Sequence, residues 1–239
     1  MRGGPVVVAV ALGALAVGPV GPANAASVVA RWNMNEMPGS KVLVDSGPNH
    51  INGTIGTSIT LNGSVHSFPQ VQRGFNNATF DPQHLDVIND PRMNPGTADF
   101  RVTVRLKIAK PSDAFGNVMQ KGQTGSATGF WKIELDGPTR GLVFCGFRSI
   151  VNGVTTNGGI RSPINIADNQ WHIVTCERGP GFVSTTVDGK TTKQMHSVGN
   201  VVNNVPLTIG GKLNCTAATA HHDCDYFEGQ IDYVEVDTG

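Results

Sequence analysis

The stretch DFRVTVRLKI, residues 99–108, alternates apolar and polar residues without a break. In an extended chain successive side chains point to opposite faces. Phe100, Val102, Val104, Leu106 and Ile108 therefore share one face, and Arg101, Thr103, Arg105 and Lys107 the other. Such a segment is a strand buried on one side and solvated on the other. Similar segments recur: SVVARWNM (27–34), NVMQKG (117–122), GFWKIELDG (129–137), GLVFCGFRS (141–149), GVTTNGGIRS (153–162), NQWHIVTCERG (169–179), GFVSTTVDGK (181–190), PLTIGG (206–211) and FEGQIDYVEV (227–236). KVLVDSGPNHINGTIG (41–56), FNNATFD (75–81) and HLDVIND (84–90) add shorter ones. Asp-Gly or Asn-Gly pairs at 136–137, 152–153 and 188–189 supply tight hairpin turns. Apolar residues rarely recur at helical spacing, so no helices are available to cover a parallel sheet. The pattern predicts an all-β fold of two packed antiparallel sheets.

The first residues are of another kind. Arg2 precedes the uncharged run PVVVAVALGALAVGPV and then GPANA, the order of a secretory signal peptide with an Ala-x-Ala cleavage site. We expect a signal peptide at 1–25 and one domain at 26–239, secreted to the outside. The competing reading is an uncleaved anchor, but Gly and Pro at 18–22 shorten the apolar run. No later stretch is apolar enough to insert in a membrane. Formal charge is balanced, with 18 basic and 18 acidic residues. Such a balance offers no electrostatic case for nucleic acid or an anionic membrane.

Export permits disulfides, and four cysteines allow three connectivities. Cys145 and Cys176 lie in strand-like sequence, while Cys215 and Cys224 flank the polar loop TAATAHHD. The economical pairing is 145 with 176 and 215 with 224. A Cys and His metal site is the rival for the second pair, since HHDCD (221–225) is rich in ligand types. Its spacing matches no zinc pattern, and a disulfide-stapled loop is the simpler reading.

Four stretches resemble, in order, the laminin G-like, concanavalin A-like jelly-roll family. VVARWNMNE followed by VDSGPNHINGTIG is similar to the opening of bacterial members. NQWHIVTCERGPGFVSTTVDGK is similar to the W-H-x-V strand, turn and V-D-G-K strand. PLTIGG and FEGQIDYVEV are similar to the P-L-x-I-G and closing F-x-G-x-I-D-x-V strands. The resemblance implies a jelly-roll sandwich. It also implies a structural calcium, with Asp232 of the closing strand as ligand and Asp45 as a possible second carboxylate. By alternation Asp232 shares a face with Val234 and Val236. An inward carboxylate there would need a partner, and calcium accepts carboxylates with backbone carbonyls and water. Pairing with an arginine is the competing account of Asp232, and an Asx-turn that of Asp45.

Catalytic sets are incomplete. Related β-glucanases carry two glutamates on one strand, and retaining hydrolysis needs two carboxyls about 5 Å apart. Glu134 and Asp136 share a strand face, but the second glutamate is replaced by a Gly-Pro-Thr-Arg turn. His172 shares a face with Val174 and reads as structural. Sugars are held by an aromatic face and planar polar groups. Trp131, Arg148 and Asn157 in the middle strands are the candidates, although Trp131 aligns with Ile133 and is equally a core residue. The expectation is a non-catalytic module binding carbohydrate or another extracellular macromolecule. A glycoside hydrolase or polysaccharide lyase on this fold, or an adhesion module without sugar binding, are the alternatives.

Overall fold

The computed structural model describes residues 27–69, 82–108, 116–123, 128–136, 141–213 and 225–239. The signal-peptide segment, the FNNATFD segment, Cys215, Cys224 and His221–Cys224 lie outside them. The described strands are β1 (Ser27–Trp32), β2 (Val42–Leu43), β3 (Gly53–Thr54), β4 (Thr60–Leu61), β5 (His66–Phe68), β6 (Asp86–Ile88), β7 (Phe100–Lys107) and β8 (Gly116–Lys121). They continue with β9 (Gly129–Asp136), β10 (Leu142–Val151), β11 (Val154–Asn165), β12 (Trp171–Gly179), β13 (Phe182–Val187), β14 (Lys190–Met195), β15 (Leu207–Ile209) and β16 (Gly229–Thr238). Sheet A runs β14-β13-β12-β7-β16-β5-β4, with β1 also pairing β16; sheet B runs β11-β10-β9-β8-β15-β6-β3-β2. The two form an antiparallel jelly-roll sandwich.

β7 behaves as its alternation predicts. Phe100, Val102, Val104 and Leu106 are buried, and the residues between them are half-buried. Asn152-Gly153 and Asp188-Gly189 both adopt the left-handed conformation that a two-residue hairpin of this twist requires. Apolar side chains of both sheets form one core, with Trp32, Trp131, Phe100 and Phe147 among its largest members. Cys145 of β10 is bonded to Cys176 of β12, so the disulfide ties sheet B to sheet A. Closing a loop of 31 residues stabilises by about 3–4 kcal/mol on the chain-entropy account.

β16 departs from simple alternation. Ile231 pairs with Leu106 and Tyr233 with Arg105, which leaves Asp232 as the extra residue of a β-bulge. The bulge lets Ile231, Val234 and Val236 all face the core. Asp232 is therefore turned to the outer face, and the expectation that it lies inward beside the valines is corrected.

Candidate functional site

The outer face of sheet B is a set of cross-strand rows. Residues directly opposite in an antiparallel pair project to the same side. One row holds Asn157, Arg148 and Phe130. The next holds Gly159, Gly146, Lys132 and Gln120, and the third Arg161, Phe144, Glu134 and Asn117. Cys145 and Phe147, one residue to either side of Gly146, face the core.

Phe144 is the centre of this face. A methyl group built on Gly146 would stand 2.4 Å from its ring, and one on Gly159 would stand 2.6 Å away. The ring is thus bedded across two glycines on neighbouring strands, and any larger residue at either would lift it. The Arg161 guanidinium lies 5.0 Å from the ring centre and the Lys132 ammonium 5.6 Å. Lys132 also forms an ion pair with Glu134.

Polar groups continue the face toward β8. A bulge between Asn117 and Met119 keeps both Asn117 and Gln120 on the outer side, opposite Glu134 and Lys132. The chain returns over them before β16. Asn117 donates its amide to the Asp225 carbonyl, and Asp225 forms an ion pair with Lys212. Gln120 uses its amide nitrogen on the Gly122 carbonyl at 2.7 Å. Asn117 and Gln120 are almost fully buried. Yet Asn117 Oδ1 and Gln120 Oε1 accept no hydrogen bond among the described residues. A buried acceptor left in this way costs about 1–3 kcal/mol, which a hydroxyl donor would recover.

The sequence-derived candidates divide. Arg148 and Asn157 are brought directly opposite each other. Trp131 is not with them. It is fully buried on the inner face, tilted against Phe100 at 5.2 Å, and its indole N–H donates to the Met93 carbonyl. It cannot stack on a ligand. Its place on the outer face is taken by Phe130 and Phe144. The signal for Phe144 was a glycine two residues on, plus a second glycine pair at 158–159. Glu134 is buried and bonded to Lys132, while the Asp136 side chain lies outside the described residues.

The expected calcium carboxylates each have protein partners. Asp45 accepts three backbone amides: Arg31 and Gly47 on Oδ1, at 2.8 and 2.7 Å, and Ile51 on Oδ2 at 2.6 Å. Asp232 bonds the Arg105 guanidinium at 2.7 Å. A cation beside that guanidinium meets like charge, and three amide donors already occupy most of the Asp45 lone pairs. As arranged, the two carboxylates do not fit one calcium ion. No group of three or more His, Cys, Asp or Glu side chains placed to hold a metal occurs among the described residues.

One histidine cluster, around His66, escaped the sequence reading, and a second surrounds His172, which the sequence reads as structural. His66 is fully buried, with Nδ1 2.9 Å from Asp86 and Nε2 2.8 Å from Glu36. Burial opposes its charge, but the bonds to Asp86 and Glu36 outweigh that and push the imidazole up to about 9. His172 is clasped in the same way by Asp188 at 2.7 Å and Asp168 at 2.9 Å, two turn residues that are half exposed. Both clusters look structural, since each ring nitrogen already has a carboxylate.

Comparison with known proteins agrees with this architecture. No curated protein sequence matches the chain. Domain 4 of AbnA, an extracellular arabinanase from Geobacillus stearothermophilus, in complex with arabinotriose, superposes with a TM-score of 0.57 at 15% identity, over 90% of this chain and 93% of that one. The binding domain of botulinum neurotoxin serotype D gives 0.55 at 13% identity, over 89% of this chain and 47% of its own. Domains LG4-5 of mouse laminin α1 give 0.42 at 16% identity, over 60% of this chain and 37% of theirs. The chain thus spans less than half the length of the toxin and laminin structures. No helix among the described residues is long and apolar enough to cross a membrane. The family described as Laminin G domain matches residues 118–239, just over half of the sequence. The chain belongs to the laminin G domain family.

Proposed function

We propose that this protein is a secreted, non-catalytic carbohydrate-binding module whose site is the outer face of sheet B. The observation that carries the reading is the Phe144 ring bedded on Gly146 and Gly159. An aromatic ring held flat on a sheet matches the apolar face of a sugar ring, and nearby planar polar groups match its hydroxyls. The likeness to an arabinanase domain that binds arabinotriose supports the reading at the level of fold. The residues before Ser27 have the order of an export signal, which suits an extracellular glycan ligand.

Affinity electrophoresis and a glycan array of the mature protein test this. Wild type is expected to be retained by at least one polysaccharide, and Phe144→Ala to lose about tenfold or more in affinity with its melting temperature kept. Equal retention of both proteins would remove Phe144 from the site, and no retention of wild type would remove the sugar. Reducing-end release abolished by Glu134→Gln would show a hydrolase instead.

A further inference from the structure

The spacing of the aromatic rings on sheet B bears on how long a ligand this face takes, a question that rests on the binding reading just given. Phe130 of β9 and Phe144 of β10 are both half-buried on the outer face. Phe130 stands opposite Arg148 and Phe144 opposite Glu134, so the two are four residues apart along neighbouring strands. Their α-carbons are therefore about 14 Å apart. Lys132 stands midway between them, opposite Gly146. Its ammonium lies 5.9 Å from the Phe130 ring centre and 5.6 Å from that of Phe144. The ring centres are thus closer together than the α-carbons, at most about 11.5 Å apart. Lys132 is held in this place by its ion pair with Glu134. A sugar ring is about as wide as a phenyl ring, so one sugar covers one platform. Two platforms with a charged donor between them mark out three consecutive places.

We infer that the ligand is a linear saccharide of at least three residues, laid obliquely across β9 and β10. One sugar stacks on Phe144 and another on Phe130, and the sugar between them lies over Lys132. There the ammonium donates to a hydroxyl or ring oxygen with the strength of a charged donor. A monosaccharide or disaccharide fills only part of this span.

Titration calorimetry of the mature protein with size ladders tests it. The probes are cello-, xylo- and arabino-oligosaccharides, each from the monosaccharide to the tetrasaccharide. In at least one ladder the affinity is expected to rise about tenfold, or about 1.4 kcal/mol, from disaccharide to trisaccharide. It should change little beyond that. Phe130→Ala should remove the step and bring the trisaccharide down to the wild-type affinity for the disaccharide. Phe130→Tyr keeps a ring and should keep the step. Phe130→Leu keeps apolar bulk without a ring and should lose it. A disaccharide that binds as tightly as the trisaccharide in every ladder that binds, or a step that survives Phe130→Ala, overturns the three-sugar ligand and leaves the Phe144 site standing. Absence of binding across all the ladders overturns both.

Discussion

The two sheets bury similar inner faces but present different outer ones. On sheet A the arginines beside β16 pair with carboxylates. Arg105 bonds Asp232 and lies 4.6 Å from the Trp171 ring centre, and Arg31 bonds Glu235 and lies 4.5 Å from that of Tyr233. Thr103 and Thr175 bond each other across strands. Sheet B places the half-buried Phe144 ring on glycines, and Asn117 Oδ1 and Gln120 Oε1 accept no hydrogen bond among the described residues. The first face is complete as a protein surface. The difference lies in what stands opposite each side chain across the strands.

Neighbouring residues of β9 and β10 sharpen the contrast most. Trp131→Ala opens a cavity in the core and is expected to cost about 3–5 kcal/mol in urea unfolding. Phe144→Ala, on the outer face, should cost far less stability and yet weaken sugar binding about tenfold or more. If Trp131→Ala is as stable as wild type, the inward placement of that ring is wrong.

The buried His66 cluster gives the next largest effect. Its imidazole is raised from 6.5 to about 9. Its stabilisation is therefore fully present below pH 6.5 and is lost as the pH climbs through about 9. The loss is about 3 kcal/mol by linkage. Urea unfolding from about pH 6 to about pH 10 should show this decline, and His66→Gln should flatten it. A flat wild-type profile over that range would mean that the buried ring is neutral.

Arg105→Ala should have the smallest effect. Its pair with Asp232 is about one third exposed on each side, so water screens it. The ion pair and the stack on Trp171 together are worth about 1 kcal/mol. Sugar binding should stay unchanged. A loss of binding in Arg105→Ala would move the ligand to sheet A.

Much of the sandwich was legible because alternation reports burial directly. Phe100 to Leu106 needed no other information, and Cys145 and Cys176 sat at inward positions of such strands. The site was less legible. Asp232 was misplaced because a bulge shifts the alternation by one residue and leaves no mark in the local sequence. Trp131 stood as both a sugar-binding and a core candidate, and its alignment with Ile133 was the reading that held. Phe144 needed two glycines on two strands, and only the β10–β11 register brings the second one beneath its ring. His66 was invisible because its partners are 20 and 30 residues away, on a short strand and in irregular chain.

The most direct test of the central claim is an amide NMR titration of the mature protein with the saccharide that it retains best. The account predicts saturable shifts at Phe130, Phe144, Gly146 and Gly159, with Trp171 and Tyr233 unmoved. Shifts confined to sheet A, or to the turns around Asp45, would contradict it.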